Sequence, residues 1–84
     1  MSKSILIVED EETLRESIKR IFMKEGYAVD AADSAEKGLE FVETGLYDVI
    51  ISDIILPGMD GIEMLTRVRE QIPDQIVIVV TAYA

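Results

Sequence analysis

Three carboxylates and one hydroxyl stand at places in this chain where chemistry is commonly done. Glu9 and Asp10 follow the apolar run Ser4–Val8, Asp53 closes the run Leu46–Asp53, and Thr81 closes the run Gln75–Thr81. Runs of this length, rich in β-branched residues and bounded by turn residues, read as strands of a parallel sheet, and the one ending at Asp53 as a strand buried on both faces. The ligands of such sheets sit at the carboxyl ends of the strands. If the first and third runs are neighbours, Glu9, Asp10 and Asp53 converge. At about 5 Å and an effective dielectric near 20, each like-charge pair costs roughly 3 kcal/mol. A small domain does not carry such a cluster uncompensated, so either one group takes up a proton or a divalent cation binds. Oxygen donors in a chain without His or Cys favour a hard ion, Mg2+ with Mn2+ as the alternative. Mg2+ keeps several waters and takes phosphate as a co-ligand, which points to phosphoryl chemistry.

Each residue also has an ordinary reading. Asp10 could cap the first helix, Asp53 could cap a turn, Thr81 is a common β-former, and Pro57-Gly58 could be a plain turn. It is their combination at matching strand ends that favours a site.

The elements that must position these groups follow in order. After Ser4–Val8, the residues Leu14, Ile18, Ile21 and Phe22 form an amphipathic helical stripe with an acidic first turn, and Gly26 stands at its C-terminal cap. Tyr27–Ala31 reads as a short strand, and Asp30 makes it half polar, which suits a sheet edge. Ser34 offers an N-cap to a second helix carrying Ala35, Leu39 and Val42. Gly38 inside that helix costs about 1 kcal/mol relative to Ala, which suggests a close approach there. After the Asp53 strand and its loop, Asp60 and Glu63 have the spacing of a capping box. The stripe Ile62, Leu65, Val68 and Ile72 follows, and Pro73 stops it. The order βαβαβαβ implies parallel strands joined by right-handed crossovers, within one domain over residues 1–84.

Composition narrows the function. Eight basic against seventeen acidic residues give a net charge of −9, which disfavours direct nucleic-acid binding. No apolar run is long enough to span a bilayer, and Met1–Ser4 leads straight into a strand, so no membrane partner and no signal peptide are expected. The absence of cysteine fits a cytoplasmic protein.

Three stretches carry a resemblance: Ile5–Glu11, Asp53–Gly61 and Val80–Ala82. Together they resemble the receiver domain of bacterial two-component response regulators, over essentially the whole chain. The resemblance implies a flavodoxin-like, three-layer α/β/α fold with strand order 2-1-3-4. It implies a phosphoacceptor that is not a conventional enzyme, with a sensor histidine kinase as donor and an output domain, expected to be transcriptional, as recipient of the signal. Asp53 matches the phosphoacceptor, Asp10 a direct Mg2+ ligand, and Glu9 a ligand acting through water. The main-chain carbonyl of Ile55 matches a further metal ligand, and Thr81 the hydroxyl that bonds the phosphoryl group. The ending Ala82-Tyr83-Ala84 is similar to receivers of the nitrogen-regulator class.

The family pattern continues with a helix, a fifth strand and a last helix, and that strand ends in a phosphoryl-binding lysine. Those elements are missing here, and Lys3, Lys19, Lys24 and Lys37 do not stand in that position. The expectation is therefore an incomplete receiver whose fourth strand is an open edge, associating as a homodimer through that strand. The alternative is a fragment that dimerises without accepting phosphate. A haloacid-dehalogenase-type hydrolase would need a second Asp two residues after Asp53, where Ile55 stands. A flavodoxin-like electron carrier would need an anion-friendly loop where Glu9–Glu12 stands.

Overall fold

The computed structural model describes residues 3–80. Four strands, β1 (Ser4–Val8), β2 (Ala28–Ala32), β3 (Val49–Asp53) and β4 (Ile76–Val80), alternate with α1 (Glu12–Lys24), α2 (Ala35–Thr44) and α3 (Gly61–Gln71). All strand pairs are parallel, in the order β2-β1-β3-β4. The expected order 2-1-3-4 is thus observed, and β1 and β3 are neighbours. None of the described helices is long and apolar enough to cross a membrane.

The period-two alternation of the strands sorts their side chains onto two faces. Leu6, Val8 and Ile50 point toward α2 and α3 and form the core with Ala35, Val42, Leu56, Met64 and Val68. Ile5 and Ile7 are buried on the opposite face, which α1 covers over β1 and β2. Cover is uneven. Ile50 and Ser52 of β3 are fully buried, but Val49 and Ile51 are only half-buried, so the expectation of burial on both faces holds for one face. On the same open face Ile76, Ile78 and Val80 of β4 expose 58, 48 and 41% of their surface.

Local sequence accounts for the helix ends. Ser34 caps α2 by accepting from the Lys37 amide at 3.1 Å. After α1 the Tyr27 amide donates to the Phe22 carbonyl and the Gly26 amide to that of Met23, both at 3.1 Å. This is a Schellman turn, with Gly26 at φ +93° and the Phe22 and Tyr27 rings in edge contact. Asp60 caps α3 through the Glu63 amide at 2.8 Å, but the Glu63 carboxylate turns to Arg67 instead of closing the capping box. The α3 stripe is shifted from the expected one: Gly61, Met64 and Val68 are buried, while Ile62 is 49% exposed. The close approach expected at Gly38 is real, since a Cβ there would lie 3.0 Å from Val8 Cγ2 and 3.3 Å from Met64 Sδ.

Candidate phosphoryl and metal site

Because β1 and β3 are parallel neighbours in register, with Val8 beside Ser52, the residues that follow them meet on one rim of the sheet. Glu9, Asp10 and Asp53 each place a carboxylate oxygen within 4.8 Å of the other two. An octahedral Mg2+ shell, with ligands at 2.0–2.1 Å, spans about 4.2 Å between opposite oxygens. The cluster is therefore of the right size for such an ion when one carboxylate acts through water. Glu9 is 4% exposed, Asp53 is half-buried and Asp10 is open to solvent.

Neither ordinary reading of Asp10 and Asp53 accounts for the cluster. The N-cap of α1 is Glu11, and it makes no side-chain cap, so Asp10 does not cap the helix. Asp53 does hold a turn, since its Oδ1 accepts from the Ile55 amide at 3.1 Å. That bond orients the carboxylate and leaves Oδ2 without a hydrogen bond to any described residue. Glu9 Oε2 accepts from the Glu11 amide at 3.0 Å. Burial nevertheless pushes the Glu9 carboxyl above the ordinary carboxylate range, against that amide bond, and the neighbouring Asp10 and Asp53 push it further. A carboxyl whose charged form is disfavoured by burial and like charge, beside two more carboxylates, is the donor set that a hard cation relieves.

This gives a signed expectation for Glu9→Gln. Without metal, the folded state holds the Glu9 proton more tightly than the unfolded chain does. As pH rises from the ordinary carboxylate range through the raised folded value, the unfolded state loses its proton first and stability falls. Gln keeps the acceptor for the Glu11 amide and carries no charge. The variant should therefore melt above wild type at neutral pH, with the gap closing toward acid pH. Saturating Mg2+ should reverse that order. Thermal melts across pH with and without Mg2+ check both halves, and an unchanged gap across pH would contradict the assignment.

Two features were not visible in the sequence. Arg15 Nη1 donates to the Glu9 carbonyl at 3.0 Å and to the Asp10 carbonyl at 3.3 Å. Glu36 of α2 accepts from the Met59 amide at 3.3 Å and so ties α2 to the β3–α3 loop. Both side chains read as solvated helix residues, and neither contact has a sequence spacing that announces it. Of the remaining expected site residues, Ile55 lies in the loop after Asp53 with its side chain exposed. Thr81 and the ending Ala82–Ala84 lie outside the described residues.

The sequence profile of the response regulator receiver domain matches residues 5–84. The chain belongs to this receiver family. Transcriptional regulatory protein DltR of Streptococcus agalactiae is 46% identical over 66 residues, which are 79% of this chain and 30% of that protein. The chain thus spans less than a third of that relative. Response regulator protein TrrA from Thermotoga maritima, solved in complex with Mg2+ and BeF, superposes with a TM-score of 0.93 at 39% identity, covering 98% of this chain and 71% of that one. TrrA has also been solved in complex with the histidine kinase ThkA, where it superposes with a TM-score of 0.91 at 39% identity over the same shares of the two chains. The flavodoxin-like fold expected for a receiver is the one found, with the acidic cluster on the carboxyl rim of its sheet.

Proposed function

We propose that this receiver accepts a phosphoryl group on Asp53 from a phosphohistidine of a sensor histidine kinase. The observation that carries this reading is the convergence of Glu9, Asp10 and Asp53 at the ends of adjacent parallel strands. The TrrA structures, one with Mg2+ and BeF and one with a histidine kinase, support the ion and the donor. Glu9, Asp10, Asp53 and the main-chain carbonyl of Ile55 are the residues that would hold Mg2+, with Glu9 acting through water. When bound, the ion neutralises charge on the phosphoryl oxygens and on the carboxylates.

The rest is done by the chain. The Ile55 amide holds Asp53 Oδ1, so Oδ2 is presented for attack. Oδ2 forms a bond to phosphorus as the donor's P–N bond breaks, and the imidazole leaves with its electron pair and takes a proton from solvent. The product is an acyl phosphate on Asp53. A carboxylate is already ionised at neutral pH, so it needs positioning and charge neutralisation more than a general base. Thr81, next in sequence after β4, is the residue whose hydroxyl would donate a hydrogen bond to the phosphoryl group. The receiver then signals to an output domain in the cytoplasm, and the relative DltR, a transcriptional regulatory protein, supports a transcriptional output.

The open face of β4 supports a second element of this reading, self-association through that strand. Sedimentation velocity over a dilution series should show a reversible dimer, and a monomer at the highest concentration would exclude it.

Beryllofluoride with Mg2+ tests the main reading, because it mimics a phosphoryl group on a carboxylate. Wild type should bind it only with Mg2+ present, with amide NMR shifts centred on Asp53 and Ile55. The alternative, a dimerising fragment that does not take phosphate, predicts no such shifts.

A further inference from the structure

We infer that Arg15 is a positioning residue for cation binding, acting through the main chain of the β1–α1 loop. This rests on the reading of Glu9, Asp10 and Asp53 as a Mg2+ site. Arg15 lies on the first turns of α1 and is half-buried. Its Nη1 donates to the consecutive carbonyls of Glu9 and Asp10, at 3.0 and 3.3 Å. Two successive carbonyl oxygens within reach of one nitrogen must face the same side. An extended strand alternates them, so this clamp marks where β1 stops and the chain turns. The turn delivers the Glu9 and Asp10 carboxylates together beside Asp53.

The main chain fixes the start of that turn, where the Glu9 amide donates to the Ala32 carbonyl at 3.0 Å, and few side chains hold the rest. The N-cap of α1 has no side-chain bond, and the other side-chain contact in the loop is Glu9 Oε2 with the Glu11 amide. That second contact uses a carboxylate of the site itself, so a cation competes for it. The Arg15 clamp uses main-chain carbonyls and none of the proposed ligand oxygens, so an ion does not compete for it. A guanidinium suits the task because it stays charged and its donors are fixed in a plane.

Charge and position predict opposite signs, which makes the inference sharp. A positive charge behind the loop repels Mg2+, so removing it would tighten binding if charge were all that mattered. Removing a positioning group weakens binding. Residues that orient metal ligands change affinity by about 10- to 100-fold when lost.

The test is a Mg2+ titration followed by the amide resonances of residues 9–11 and 53 in wild type, Arg15→Ala, Arg15→Lys and Arg20→Ala. Arg15→Ala should bind about 10-fold more weakly, with Arg15→Lys in between, since an ammonium keeps the charge but lacks the planar fork. Arg20→Ala, on an exposed part of the same helix, should match wild type. Labelling by acetyl phosphate adds a second readout: the half-saturating Mg2+ should rise about 10-fold in Arg15→Ala, while the rate at saturating Mg2+ returns to that of wild type. If Arg15→Ala does not fold, Arg15→Lys against wild type carries the same comparison. Equal or tighter Mg2+ binding without Arg15 overturns the inference and leaves the site intact. Failure of wild type itself to bind Mg2+ overturns the site and the inference together.

Discussion

Asp53→Asn should reduce phosphoryl incorporation below detection while leaving the fold at least as stable as wild type. The asparagine oxygen can still accept from the Ile55 amide, now 3.1 Å from Asp53 Oδ1, so the loop keeps its turn. What disappears is the carboxylate oxygen proposed to attack phosphorus. Loss of a catalytic nucleophile costs on the order of 10⁴-fold or more in rate. The same substitution removes one of three converging carboxylates. The roughly 3 kcal/mol per pair estimated for an effective dielectric near 20 is an upper bound, and solvent at this open rim screens it to about 1 kcal/mol. In a domain of this size that corresponds to a rise of about 4–8 °C in metal-free melting temperature. Intact mass after incubation with acetyl phosphate and Mg2+, paired with a thermal melt, reads both effects. A variant that is inactive because it is misfolded would melt lower, which would contradict this account.

Gly61→Ala should be the most destabilising of the glycine-to-alanine substitutions in this chain. A Cβ at Gly61 would overlap the Asp53 carbonyl oxygen, and would lie 3.0 Å from the Asp53 carbonyl carbon and 3.1 Å from Ile54 Cα. All three are main-chain atoms, so no rotamer change relieves the clash. The Gly61 amide also donates to the Ile54 carbonyl at 2.9 Å, and the Ile54 amide to the Val80 carbonyl at 2.9 Å. Moving α3 away breaks the first bond, and moving Asp53–Ile54 breaks the second. Overpacking of this kind costs about 3 kcal/mol. Small domains hold only about 5 kcal/mol in total, so the unfolding midpoint in urea should fall by about half or more. Because Gly61 seats α3 against Asp53, the proposed phosphoacceptor, any folded remainder should also label slowly. A midpoint equal to that of wild type would show that the packing of α3 on Asp53 is misassigned.

These two positions also show how the site could and could not be read from sequence. The strands were legible because β-branched runs such as Ile5–Val8 and Ile76–Val80 are bounded by turn residues. Once β1 and β3 are neighbours, Glu9, Asp10 and Asp53 must meet, since parallel register places their ends together. Asp30 read as an edge residue, and β2 is an edge strand, where the Tyr47 hydroxyl donates to Asp30 at 2.7 Å. Burial, followed by that bond, pushes the Tyr47 phenol above its ordinary range.

The α3 stripe holds at Val68 and Ile72 but differs at its start, because hydrophobicity alone sets the phase of such a pattern. Ile62 outweighs Gly61, yet it is the glycine that fits against Asp53, and the row it starts runs through Met64 and Val68. Glu63 was assigned to a capping box on spacing, and the competing Arg67 one turn on takes its carboxylate instead. The clamp from Arg15 was invisible for a different reason. It is a bond from a side chain to main-chain carbonyls, and such a bond depends on how the chain turns, not on which residues stand at Glu9 and Asp10.

The central claim is that Asp53, and no other carboxylate of the cluster, carries the phosphoryl group. An acyl phosphate is reduced by borohydride to an alcohol at the residue that bore it, and peptide mass spectrometry locates that residue. After treatment with acetyl phosphate and Mg2+, this account predicts one reduced residue, at position 53, and none without Mg2+. Reduction at Glu9 or Asp10, or a label that persists in Asp53→Asn, would contradict it.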